Sequence, residues 1–123
     1  MIKGIHHVSL SAAGTEGLKK ALGFYNGLLG LPVIRDWGRG VMLDAGNCII
    51  EIMSTGSGEE TKGLWGHIAF LVDNTDTVCE KLRRAGYTVT MEPCDKDLNG
   101  YPVRICFCIG PCGEEIELFM ERQ

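Results

Sequence analysis

Two histidines and two glutamates have the types and the placement to do chemistry: His7 in IHHVSLS, Glu51 in CIIEIM, His67 in GHIAFLV and Glu117 in EEIELFM. Imidazole nitrogens and carboxylate oxygens form a hard-to-borderline ligand set suited to divalent nickel, zinc, cobalt, manganese or iron. Each run is short and apolar, the pattern of a strand, and residues two apart on a strand share a face. His7 therefore lies with Ser9 and Ser11, away from Val8 and Leu10, and Glu51 lies with Ile49 and Met53, away from Ile50 and Ile52. His67 goes with Ala69 and Leu71, and Glu117 with Glu115 and Phe119. A carboxylate set between Ile50 and Ile52, or between Ile116 and Leu118, is costly unless it is solvated, paired or bound to a cation. Any one of the four alone is an ordinary polar residue on a sheet. Together they make a metal site the leading reading, with His6 a bystander on the opposite side.

The elements that must position these residues occur twice. Laid over itself at a register of about sixty residues, the chain brings His7 onto His67. In the first half a strand over 4–11 leads to a helical pattern over 15–29, with Leu18, Leu22, Tyr25 and Leu29 on one face and Gly30 as its stop. LPVIRDW, VMLDAG and NCIIEIM then read as three strands, the last two joined by the turn-forming Asp44-Ala45-Gly46-Asn47. The second half repeats the order: a strand over 66–72, a helix over about 74–85 with Gly86 as stop, then YTVTMEP, RICFCIG and EEIELFM. The expected organisation is one domain over 1–123, with a first module to about residue 54, a polar linker over about 55–63 and a second module from about 64. CDKDLNGYP is longer and more polar than a hairpin needs, and reads as a loop able to cover a site.

Apolar residues at 45%, charged residues at 23% and a formal charge of −4 fit a globular protein and give no electrostatic basis for binding nucleic acid or an anionic membrane. No stretch reaches the roughly 18 apolar residues of a membrane span, and MIKGIHHVSL has no apolar secretory core, so a cytoplasmic location is expected. The six cysteines are read as reduced thiols. A thiolate zinc site from Cys94, Cys106, Cys108 and Cys112 is the weaker reading, since no CxxC pair occurs. Cys106 and Cys108 read as small buried side chains alternating with Phe107, and Cys112, in the Gly110-Pro111-Cys112-Gly113 turn, as an exposed, oxidisable thiol.

At the four candidate ligands the chain resembles the vicinal oxygen chelate superfamily and, within it, the glyoxalase I (lactoylglutathione lyase) group. The matching stretches are IHHVSLSA, ALGFYNGLLGLPVIRDW, IIEIM, GHIAFLVDNTDTVCEKLRRAGYTVT and the closing GPCGEEIELFMER. The resemblance implies an α+β fold of paired βαβββ modules forming a curved, incompletely closed mixed sheet with helices outside. It also implies a homodimer in which His7 and Glu51 of one subunit join His67 and Glu117 of the other at a divalent metal. Nickel or cobalt comes first by this pattern, with zinc, manganese or iron also compatible, because ligand type alone does not choose the metal.

The activity implied is a carbon–sulfur lyase of methylglyoxal detoxification. It would isomerise a methylglyoxal–thiol hemithioacetal to a lactoyl thioester through an ene-diolate stabilised by the metal, with Glu117 as the first candidate base and Glu51 the second. Arg35 matches the position of a glutathione-contacting arginine, while Ser11 and Thr55 replace the arginine and asparagine that bacterial glyoxalase I carries four residues after its first and second ligands. Met53 and Trp65, with Trp37, are candidates to line an apolar substrate pocket. Two other classes are compatible with the superfamily: a metal-dependent epimerase or thiol transferase, and a drug-binding resistance-type protein without catalysis.

Overall fold

In a computed structural model of the chain, which describes residues 6–56 and 67–123, the side chains of each sheet divide between a helix-covered face and an open face. The chain falls into two compact units, Met1–Glu60 and Thr61–Gln123. In the first, β1 (His7–Ala13), an α-helix α1 (Gly14–Leu22), β2 (Val33–Asp36), β3 (Gly40–Asp44) and β4 (Ile49–Gly56) follow in order. In the second, β5 (Ile68–Leu71), α2 (Thr75–Arg84), β6 (Val89–Asp97), β7 (Pro102–Ile109) and β8 (Glu115–Glu121) repeat that order. Each unit folds one four-stranded mixed sheet, β1-β4-β3-β2 and β5-β8-β7-β6, with a parallel first pair and antiparallel pairs beyond it. The two βαβββ units expected from the internal repeat are thus both formed.

The faces are set by side-chain period. In the first sheet Leu10, Ile50, Ile52, Val41 and Leu43 are buried on the side that α1 covers with Leu18 and Ala21. In the second, Ile116, Leu118, Cys106 and Cys108 are buried on the side covered by Cys79 and Leu82 of α2. Alternation of Cys106 and Cys108 with Phe107 therefore puts both thiols in the core as small apolar groups, not at a zinc site. Asn74 caps α2 by accepting from the Thr77 amide at 3.0 Å, and the buried Thr75 hydroxyl donates to the Arg104 carbonyl at 2.8 Å, tying the helix to β7.

Three local features depart from the sequence expectation. The helical pattern over 15–29 holds as an α-helix only to Leu22 and continues as a π-helical segment, Gly23–Leu28. Gly23 and Gly27 weaken the α preference there, and the wider turn lets the consecutive Phe24 and Tyr25, in edge contact at 4.9 Å, both be buried. The polar stretch after Pro93 is not a loop: Cys94 to Asp97 extend β6 against Ile105 to Pro102 of β7, and only Leu98–Gly100 turn. Asp97 makes that turn by accepting from the Gly100 amide at 2.6 Å, and its polarity belongs to an exposed hairpin end. Thr55 and Gly56 of the expected linker belong to β4, and residues 57–63 lie outside the described residues. No described helix is long and apolar enough to cross a membrane.

Candidate metal centre

The parallel pairing of β1 with β4 sets Ser9 opposite Glu51, and the Ser9 hydroxyl donates to Glu51 Oε1 at 2.9 Å. His7, two residues earlier on the same face, brings Nε2 to 3.8 Å from that oxygen. This is ion-pair distance and too long for a hydrogen bond. His6 does not face away from His7 as alternation predicts: its Nδ1 lies 2.9 Å from Nδ1 of His7, with the rings edge-on at 5.2 Å. β1 begins at His7, so strand alternation does not fix the direction of the His6 side chain, although the His6 carbonyl still accepts from the Ile49 amide at 3.3 Å.

The second unit builds the corresponding pair. Glu117 on β8 stands opposite Ala69 of β5, and His67, immediately before β5, places Nε2 at 3.1 Å from Glu117 Oε1. Glu117 is 8% exposed, and the His67 ring meets Phe107 edge-on at 5.2 Å. Ala69 occupies the place of Ser9, so among the described residues the hydroxyl that holds Glu51 has no equivalent beside Glu117.

Strand pairing continues each site as a row across its sheet. In the first unit the row runs Ser9, Glu51, Met42, Arg35; in the second it runs Ala69, Glu117, Phe107, Met91. Directly paired residues share a face, which puts Arg35 on the Glu51 side two strands away, about 10 Å by strand spacing. Its guanidinium reaches the Met42 sulfur at 4.0 Å. The next row pairs Ser11 with Met53 and Met53 with Gly40. Met53 and Trp37 close over Gly40, where a Cβ would meet each side chain at 2.6 Å, so only glycine fits. Arg35, Ser11 and Met53 therefore share the face of Glu51, as expected for residues lining one site, while Trp65 lies outside the described residues. Met42 and Phe107 escaped the sequence reading. Only the pairing of β3 with β4 and of β7 with β8 reveals them.

Each unit thus supplies one imidazole and one carboxylate. Among the described residues no three ligand-type side chains converge, so neither pair alone would complete a cation's shell. The donor chemistry fits a borderline divalent ion, and the buried Glu117 carboxylate, whose polar contact among the described residues is with His67, is a group that a cation would stabilise.

The chain belongs to the Glyoxalase/Bleomycin resistance protein/Dioxygenase superfamily, whose profile matches residues 4–118. Members of this superfamily typically use divalent metal ions. Over 58 residues, 47% of the chain, it is 41% identical to the lactoylglutathione lyase of Escherichia coli O157:H7, and the match spans 42% of that enzyme's length. A glyoxalase family protein from Enterococcus faecalis superposes with a TM-score of 0.69 at 27% identity, covering 95% of this chain and 97% of its own. A genomically encoded fosfomycin resistance protein from Listeria monocytogenes shares the fold with a TM-score of 0.77 at 18% identity, covering 99% and 96%.

The thiol expected to be exposed and oxidisable, Cys112, is instead half-buried, and its amide donates to the Glu114 carboxylate at 2.7 Å. Burial, followed by the charge of Glu114, pushes its pKa up to about 12. A raised thiol pKa keeps the neutral form at higher pH, leaving thiolate at about one part in 10⁴ at pH 8. Labelling of Cys112 by a maleimide, followed by peptide mass spectrometry, should be slow at pH 8 and still rise with pH beyond 10. A labelling rate that levels off below pH 9 would show an ordinary thiol.

Proposed function

We propose that the chain is a metal-dependent lyase of the glyoxalase I type, its two units acting as modules of one domain. In this reading two subunits pair, with His7 and Glu51 of one and His67 and Glu117 of the other supplying four donors. The observation that carries it is the repetition: two sheets of identical strand order each set a histidine beside a glutamate on the open face. When bound, a divalent cation supplies Lewis-acid polarisation of two neighbouring substrate oxygens. Nickel or cobalt is the first choice.

The chain's own residues would do the rest. Glu117 takes the proton from the carbon bearing the thiol of a methylglyoxal hemithioacetal and returns it to the adjacent carbon, giving a lactoyl thioester. Its site suits a group that must move, because Ala69 leaves it without the hydroxyl that holds Glu51. Arg35 on the same face as Glu51 offers a guanidinium to a substrate carboxylate. Met53 and Trp37 give that face an apolar margin that limits water.

Ser11 and Thr55, standing where bacterial glyoxalase I has an arginine and an asparagine, favour a second reading in which the same centre serves a thiol other than glutathione or a different small molecule. The metal-stripped protein, given nickel, cobalt, zinc or manganese and assayed for thioester formation from methylglyoxal with glutathione and then other thiols, tests both. Metal-dependent turnover with one thiol is the expected result and identifies that thiol. Tight metal binding without turnover on any thiol would move the substrate to the epimerase or thiol transferase class. No binding of any of these ions would leave a small-molecule-binding protein without metal chemistry.

A further inference from the structure

His6 and His7 place two imidazole nitrogens 2.9 Å apart, Nδ1 to Nδ1, on side chains that both face solvent. Two neutral imidazoles at that distance share one proton: one Nδ1 donates and the other accepts. Which donates is decided by what the outer nitrogens do. Nε2 of His7 is 3.8 Å from Glu51 Oε1, too far for that carboxylate to hold a proton there. A cation can bind Nε2 only when that nitrogen carries no proton, and the His7 proton must then sit on Nδ1 and be given to His6.

We propose, resting on the metal reading above, that His6 is a positioning residue for the centre. Its Nδ1 accepts the Nδ1–H of His7, fixing the His7 ring and leaving the Nε2 lone pair directed at the side occupied by Glu51. Ser9 does the same for the carboxylate, donating to Oε1 at 2.9 Å. The His7/Glu51 pair is therefore supported at both members by neighbours on β1 or just before it. In the second unit the residue facing the carboxylate is Ala69, so the support of Glu51 is not duplicated there.

Three forms test this: wild type, His6→Ala and His6→Asn, the last keeping an acceptor oxygen near the place of Nδ1. Nickel or zinc affinity is measured by calorimetry, and the protonation of each His7 ring nitrogen is read from nitrogen-15 spectra of the metal-free and metal-loaded proteins. Removing an outer partner of a metal-binding histidine costs about 10–100-fold in affinity, and the exposure of this pair puts His6→Ala at about tenfold because water can replace the acceptor. His6→Asn should stay within about threefold of wild type, and in wild type the loaded His7 should carry its proton on Nδ1. Equal affinity of His6→Ala and wild type would overturn the proposal, as would a loaded His7 protonated on Nε2. If wild type binds no metal, it is the functional reading that fails. The metal-free spectra then still decide the pairing, because unchanged His7 ring nitrogens in His6→Ala would show that no proton is shared.

Discussion

Glu117→Gln is expected to lower turnover by about 10²–10⁴-fold at saturating metal while leaving the fold intact. The amide keeps the shape of the carboxylate and an oxygen for a cation, but it cannot carry a proton from one carbon to the next. Metal affinity should fall as well, because one anionic donor becomes neutral, so turnover has to be measured with occupancy established by calorimetry. Stability should hold, since Glu117 is buried, 8% exposed, and neutralising its carboxylate removes a desolvation cost. Glu51→Gln is the informative comparison. Its side chain is held by Ser9, and its loss should show more in affinity than in turnover. Wild-type turnover in Glu117→Gln, with metal bound, would falsify the assignment of the base.

The next residue reports on the opposite face. Leu118 is fully buried, pairs with Phe70 of β5 and Cys106 of β7, and lies on the side of β8 that α2 covers. Leu118→Ala should destabilise the protein by about 2–5 kcal/mol, read as a lower urea midpoint with little change in slope. The spread reflects how far α2 can settle into the space left behind. A loss below about 1 kcal/mol would mean that the core of the second unit collapses around the cavity. Set beside Glu117→Gln, the pair separates chemistry from folding at adjacent positions of one strand. Alternation alone assigns them these opposite roles.

That alternation is also why much of the site could be read from the sequence. A period of two tells the face of Glu51 from that of Ile50 without any knowledge of the partner strand, and the internal repeat then pairs each glutamate with its histidine. What alternation cannot supply is register. The rows from Ser9 to Arg35 and from Ala69 to Met91 exist only once the strands are aligned, so Met42 and Phe107 had no signal of their own. The direction of His6 is likewise beyond alternation, because β1 begins one residue later, at His7. The π-helical segment at Gly23–Leu28 buries the consecutive Phe24 and Tyr25, and apolar spacing at the α-helical period, which picks out Tyr25 with Leu22 and Leu29, does not signal that wider turn. The polar run after Pro93 has loop composition because both faces of an exposed hairpin end meet solvent, a case in which composition and backbone conformation part company.

Each histidine rides on, or leads into, the outermost strand of its sheet, β1 or β5, while each glutamate stands on the strand just inside, β4 or β8. A cation held by such a pair would act as a rivet between rim and interior. Edge strands open more readily than central ones, and an opened β1 or β5 would carry its imidazole away from the carboxylate. Loading and fraying would then be linked equilibria: metal concentration would set how long the rim stays closed, and the looseness of the rim would set how tightly metal is kept.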